Sequence, residues 1–245
     1  MNSPVSIVSQ ISVDQTRKKV WVMFDRIAHR YDLLNRLLSF RQDVRWRNKL
    51  AEYLPDKNEL EVLDVATGTA DVLISLNNKS RKIKKAIGID MAEKMIEIGR
   101  KKINKLKLSD KISLQKGDAT DIRFEEESFD LVTISFGIRN VNNLDLALQN
   151  MLRVLRKNGR SLILEFSLPS NFIMKRLYLF YFRNILPFIG SLVSGDAYAY
   201  NYLNQSVETF PYGQEFCKIM QKNGFKNVKK YPLTFGIATI YSGDK

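Results

Sequence analysis

The chain is poor in the residues that build metal centres and covalent cross-links. Cys217 is its only cysteine and His29 its only histidine. One thiol closes no disulfide framework and forms no thiolate metal site. One imidazole leaves a His-based metal centre, or a Ser-His-Asp triad, without enough candidates. Long apolar runs are also missing. The greasiest stretch, 171–193, is interrupted by Lys175, Arg176, Arg183 and Pro187, so it falls short of the roughly 18 apolar residues that a membrane span requires. The first residues lack the basic and apolar regions of a signal peptide and the Arg-rich pattern of a transit peptide. The expectation is a reduced, cytoplasmic protein, placed at most on the inner face of the cell membrane.

Acids are outnumbered. Against 39 Lys and Arg stand 26 Asp and Glu, a net charge of +13. Residues 17–49 carry ten bases and three acids, and residues 79–107 carry eleven and three. Such a field attracts polyanions, either nucleic acid or an anionic membrane surface, unless it is only a solvated face. The rest is ordinary for a globular protein: 245 residues, 44% hydrophobic and 27% charged, enough to bury the core of one domain.

The most informative stretch is Glu61-Val-Leu-Asp-Val-Ala-Thr-Gly-Thr-Ala-Asp71, followed by Ala86-Ile-Gly-Ile-Asp90. An apolar run enters a glycine turn, and a second run ends in a lone acid 26 residues after Asp64. A nucleoside needs such a turn, where backbone N–H groups approach it closely, and a carboxylate one strand over to accept the ribose hydroxyls. A dinucleotide turn carries Gly-x-Gly-x-x-Gly to fit a pyrophosphate. Here only Gly68 is present, with Ala70 and Leu73 where further glycines would stand. The turn therefore suits S-adenosylmethionine better than NAD.

Strand and helix patterns alternate from Glu61. Strands are expected at 61–66, 86–90, 112–116, 130–135, 160–166, 227–231 and 235–242, and helices at 71–78, 92–107, 144–156 and 213–223. This order implies βαβ units, a parallel sheet covered on both faces, and a ligand at the carboxyl ends of the strands. Asp64, Asp71, Asp90, Asp118 and Ser135 all fall near those ends. Residues 1–54 read as a helical N-terminal extension, helical from 16 to 54, ahead of a domain at 55–245. Within that domain 171–210 reads as a lid insertion. Buried core is the expectation for 171–193, with a lipid-facing lid as the alternative.

Several blocks lie around this turn: Met23-Phe-Asp-Arg-Ile-Ala-His-Arg-Tyr-Asp-Leu-Leu-Asn35, Gly117-Asp-Ala119, Ile134-Ser-Phe-Gly-Ile-Arg-Asn-Val141, Leu164-Glu-Phe-Ser167 and Phe210-Pro211. Together they resemble the menaquinone/ubiquinone biosynthesis C-methyltransferase family over almost the whole chain. The resemblance implies an α/β class I S-adenosylmethionine-dependent methyltransferase, Rossmann-like, with a seven-stranded sheet whose last strand is antiparallel. It implies cofactor contacts from Asp64, Gly68 and Thr69 in the turn, Asp90 on the ribose, Asp118 and Ala119 at the adenine, and Ser135 at the methionine end. The family usually has Gly where Ala70 stands. Ala either demands negative φ or fits after a small backbone shift, and the second is expected.

The implied reaction is methylation of a ring carbon of a prenylated quinol, demethylmenaquinol in preference to a benzoquinol. Arg139 would stabilise the phenolate, Asn140 would hold a hydroxyl or water, and Asp118 would accept the proton. Pairing of Arg139 with an acid is the bland alternative. Tyr31, Tyr200 and Tyr202 either line the quinone pocket or pack the lid, and His29 reads as structural. The implied partners are the quinol and an anionic membrane surface. Nucleic acid is disfavoured, because the basic stretches lack an aromatic platform, and a homodimer is left open. A non-catalytic S-adenosylmethionine-binding protein is the reading from another class.

Overall fold

The computed structural model describes residues 20–185 and 197–245. Two helices come first, α1 (Val20–Leu38) and α2 (Gln42–Lys49), then a 3₁₀ turn at Leu50–Tyr53. The alternating part follows as β1 (Leu60–Val65), α3 (Asp71–Lys79), β2 (Ile83–Asp90), α4 (Glu93–Lys105), β3 (Ile112–Lys116), β4 (Phe129–Ser135), α5 (Leu144–Val154) and β5 (Leu155–Phe166). The chain ends with α6 (Phe172–Phe180), α7 (Ala197–Thr209), α8 (Gln214–Lys222), β6 (Lys226–Leu233) and β7 (Ala238–Asp244).

The strands form one seven-stranded sheet in the order β3-β2-β1-β4-β5-β7-β6. β1 to β5 are parallel, and β7 runs antiparallel to both its neighbours, as expected for the last strand. β1 and β4 are almost wholly buried, which is why they read as continuous apolar runs rather than alternating ones. One core packs α5 and α8 on one face of the sheet, around Leu148, Met151, Phe216 and Tyr241. The other packs α2, α3 and α4 on the opposite face, around Trp46, Leu73, Leu76 and Ile96.

Strand order reverses between β1 and β4. A crevice therefore opens at their carboxyl ends, and it is there that α1, α2 and α6 lie. A third apolar cluster joins Met23 and Leu34 of α1 to Tyr178, Phe182 and Tyr202, so the N-terminal helices and the insertion pack into one cover. Buried core describes only one side of that insertion. Met174 and Tyr178 turn inward, whereas Phe172, Ile173, Leu177 and Phe180 stand exposed. The part of the insertion from 186 to 196 and the N-terminal residues 1–19 lie outside the described residues, as does the side chain of Tyr200. Among the described residues, no helix is long and apolar enough to cross a membrane.

Candidate active site

The glycine turn holds the site by backbone conformation. Ala66, Gly68 and Ala70 all take positive φ, at 51°, 55° and 64°. The alternative in which Ala70 demands negative φ is excluded: alanine takes the left-handed conformation that glycine favours, at a cost of roughly 1–2 kcal/mol. Its methyl is fully buried in the core beneath the turn, away from the cavity that the turn lines, and so does not crowd a ligand there. The turn is pinned across strands, with the Gly68 N–H donating to Asp90 Oδ2 at 2.8 Å and the Ala92 N–H to Oδ1 at 2.8 Å. Burial nonetheless raises the Asp90 carboxyl above its usual range.

A cavity of about 130 Å³ lies against this turn. It gathers Gly68, Asp90, Asp118, Ala119, Ser135 and Asn140, six of the residues expected from sequence. Asp118 Oδ1 accepts the Thr120 N–H at 2.8 Å, and Asn140 Oδ1 accepts the Tyr202 hydroxyl at 3.1 Å. Three expected residues lie elsewhere. Asp64 sits beneath the turn and accepts Thr67 Oγ1 at 2.7 Å and Thr133 Oγ1 at 2.5 Å, and burial pushes it up to about 7. Thr69 Oγ1 donates to Asp32 Oδ1 at 2.8 Å, on the far side of the turn. Both are absent from the cavity wall. Arg139 lines a second, larger cavity of about 440 Å³.

The large cavity is apolar, walled by α1, α2 and α6. Phe24, Tyr31 and Phe136 line both cavities, so these three rings divide two parts of one space. Phe136 is held at φ 56°, a conformation that bulky residues rarely take and that clusters at functional sites. Behind it, a Cβ on Gly137 would meet the Ala66 Cβ at 2.6 Å, so glycine is required for β4 to approach the turn. The motif Ser135-Phe-Gly-Ile-Arg-Asn was legible in sequence. The dividing role of Phe136 was not, because it rests on a positive φ at a residue that does not announce one.

Two buried guanidiniums face the large cavity. Arg139 pairs with the fully buried Glu165 at 2.7 Å and donates to the Phe136 carbonyl at 2.6 Å. This is the acid pairing weighed against a catalytic role, and it leaves the Arg139 Nε–H buried and without a partner. Burial raises Glu165, and the Arg139 charge pulls it back down. Arg47, to which sequence reasoning gave no role, pairs with Asp43 at 2.6 Å and lies 5.5 Å from the Phe136 ring centroid. Burial raises the Tyr31 phenol, against the opposing fields of Arg47 and Arg139, so Tyr31 is a hydrogen-bond donor at neutral pH rather than a base.

The residues present fit S-adenosylmethionine. Asp90 offers a carboxylate for vicinal hydroxyls. Space is open beside Gly68, where an added Cβ would meet nothing within 4 Å. Ser135 lines the same cavity, and its buried hydroxyl has no hydrogen-bond partner among the described residues.

Comparison with known proteins points the same way. The family model described as the ubiE/COQ5 methyltransferase family matches residues 12–245. A ubiquinone/menaquinone biosynthesis C-methyltransferase of Geotalea uraniireducens is 45% identical over 228 residues, covering 93% of this chain and 97% of the relative. A demethylmenaquinone methyltransferase of Bacteroides fragilis is 39% identical over 246 residues, covering all of both. Among solved structures, an S-adenosylmethionine-dependent methyltransferase of Thermotoga maritima, described as a possible histamine N-methyltransferase, superposes with a TM-score of 0.64 at 20% identity. It covers 92% of this chain and 99% of that one, a likeness of fold.

Proposed function

The chain belongs to the ubiE/COQ5 methyltransferase family, and we propose that it methylates a ring carbon of a prenylated quinol, demethylmenaquinol, with S-adenosylmethionine as donor. When bound, S-adenosylmethionine supplies an electrophilic methyl on a sulfonium. The observation that carries the reading is the arrangement of two adjoining cavities. One sets Asp90, Asp118, Ser135 and Asn140 among apolar side chains; the other is more strongly apolar and lined by Arg139.

The chain's residues have three tasks. The first is to hold the phenolic oxygen as an anion, since a phenol titrates near 10 in water. Arg139, which lines the apolar cavity, is a fixed cation whose field stabilises it. The second is to take up the one net proton released when the ring carbon exchanges its hydrogen for a methyl. Asp118, beside Asn140 in the cofactor cavity, is the acceptor in this scheme, with Asn140 orienting the hydroxyl or a water between them. The third is to exclude water, and Phe24, Tyr31 and Phe136 do so at the junction. Asp64 and Thr69 act on the cofactor indirectly, by setting the turn. The described residues 20–54 form the cover, those of 55–245 the methyltransferase body, and the described part of 171–210 the lid. Tyr31 and Tyr202 belong to the quinol pocket. Attraction to an anionic membrane on the cytoplasmic side, suggested by the charge of +13, and a homodimer complete the proposal.

The deciding assay is methyl transfer from labelled S-adenosylmethionine to reduced demethylmenaquinone, with 2-methoxy-6-polyprenyl-1,4-benzoquinol in parallel. Label in the naphthoquinol is expected. The name of the Geotalea relative spans both quinone classes, so label in the benzoquinol as well would broaden the assignment, and label in neither would end it. Arg139 needs a paired control. Arg139→Ala should cost about 3–5 kcal/mol of stability by stranding the buried Glu165 charge. The double variant Arg139→Gln/Glu165→Gln removes both charges, so it should fold yet turn over at least ~10²-fold more slowly. Full activity in that folded double variant would remove Arg139 from the mechanism.

A further inference from the structure

We infer that the rim of the large cavity is a membrane-docking edge, formed by three turns of chain that insert Phe40, Phe172, Ile173, Phe180 and Phe235 into the interface of an anionic bilayer. The inference rests on the quinol reading for its purpose, but the surface itself is visible without it.

Large exposed apolar side chains are concentrated on this rim. Phe40, Phe172 and Phe235 are each 75% exposed, and Ile173 and Phe180 exceed 60%. They come from separate parts of the sequence, and the fold brings them together. Phe40 packs against Tyr181, with ring centroids 6.0 Å apart, and the Tyr181 hydroxyl donates to the Leu38 carbonyl at 2.8 Å. The turn carrying Phe235 touches the start of the insertion, since a Cβ on Gly236 would lie 3.4 Å from the Pro169 Cα. Its neighbours Thr234 and Ile237 line the cavity. A patch of several large apolar residues around one opening marks an interaction site rather than ordinary surface.

Helix α6 carries apolar residues both at the cavity and outside it. Met174, Leu177 and Tyr178 line the cavity, while Phe172, Ile173 and Phe180 stand exposed and Leu177, at the cavity mouth, is itself 61% exposed. Lys175 and Arg176 lie on the same helix, so its exposed side mixes apolar and cationic side chains, the composition of an interfacial helix. The two turns that carry Phe40 and Phe235 are strained as well. Phe40 and Arg41 have φ of 51° and 61°, and Thr234 and Phe235 have φ of 45° and 58°. Holding two exposed phenylalanines in the left-handed region costs free energy twice.

The charge around the rim selects the occupant. Residues 166–185 contain Lys175, Arg176 and Arg183 and no acid; Arg183 is neutralised by Glu208, to which its Nε–H donates at 2.8 Å, so the rim charge comes from Lys175 and Arg176, with Arg41 beside Phe40. Aromatic and branched apolar side chains between Lys and Arg suit an interface of acyl chains and anionic headgroups. A protein partner would more readily be met by acids on the rim. A quinol whose tail lies in the bilayer would then enter the cavity sideways, without crossing water.

Flotation of the full chain with vesicles tests this. Vesicles of phosphatidylglycerol and phosphatidylcholine should carry the protein. Ile173→Glu/Phe235→Glu should reduce that binding about tenfold or more, whereas Leu146→Glu, an exposed residue on α5 away from the rim, should leave it unchanged. Methyl transfer to a tail-less naphthohydroquinone in solution keeps the two ideas apart. The rim variant should retain it within about twofold while losing transfer to a long-tailed acceptor in vesicles. Equal flotation of wild type and rim variant, or an equal loss in Leu146→Glu, would overturn the docking edge. Rim-dependent flotation with no methyl transfer to any quinol would uphold the edge and remove the quinol reading.

Discussion

At the scale of single residues, the site is shaped by groups that do not touch the ligand. Asp64 is the clearest case. The sequence places it at the end of a strand beside the turn, which is where it lies, yet its carboxylate points beneath the turn onto Thr67 and Thr133. Residue type and position were legible there; the direction of the side chain was not, because it depends on a partner from β4, 69 residues away. Burial holds its folded pKa at about 7, well above the ordinary Asp value. For an acid raised in this way the folded state keeps a proton that the unfolded state has released. The associated stability is therefore full below about pH 4 and is lost as pH rises to about 7. Asp64→Asn should remove that loss, so its stability relative to wild type should rise across this window by as much as ~4 kcal/mol. Urea unfolding at several pH values measures it, and parallel profiles for the two proteins would refute the burial argument.

At the scale of elements, β1 and β4 were legible because they are short apolar runs, and β3 because Ile112 and Leu114 alternate with polar residues. The break between α1 and α2 was not. The pattern reads as one helical segment, and the chain turns at Phe40 and Arg41 through two positive φ angles without any glycine. The cover these helices form is latched to the cofactor turn by charge. Lys102 reaches Asp32 of α1 at 2.5 Å, Asp71 of α3 at 2.7 Å and Thr69 Oγ1 at 2.9 Å. Arg36 pairs with Asp71 at 2.6 Å and also with Asp43. The basic N-terminal segment is thus partly turned inward: Arg36 and Arg47 bind acids of the protein itself, and the charge excess overstates what this segment offers to a membrane. Because α1 also contributes Trp21 and Phe24 to the cofactor cavity, loosening the latch should weaken cofactor binding. Lys102→Ala should reduce affinity for S-adenosylmethionine about fivefold, or about 1 kcal/mol, a size suited to half-exposed ion pairs. The deficit should shrink at high salt, where wild type loses the same pairs. Calorimetric titration at two salt concentrations decides it; unchanged affinity at both would separate the latch from the site.

At the scale of the whole molecule, the parallel sheet and a site at the carboxyl ends of its strands followed from the alternating patterns, and the seven strands with an antiparallel last one from the family resemblance. The union of N-terminal helices and insertion into one cover did not, because contacts between residues more than a hundred positions apart leave no local mark. That union has a thermodynamic consequence. The cofactor cavity and the apolar cavity share Phe24, Tyr31 and Phe136, so ordering these rings around one ligand removes a cost that the second would otherwise bear. S-adenosylhomocysteine at a hundred times its dissociation constant should stabilise the protein by about 2.7 kcal/mol, which for a chain of this length is roughly 5–10 °C in Tm. A tail-less naphthohydroquinone alone should do less, since half of its surroundings remain mobile. Added together they should exceed the sum of the separate stabilisations, and each should tighten the other's affinity by the same factor, because coupling between two sites is reciprocal. Thermal unfolding across a grid of the two ligands reads this directly. Strictly additive stabilisation would mean that the rings between the cavities form a fixed wall, and that the quinol and the cofactor meet without either preparing the site for the other.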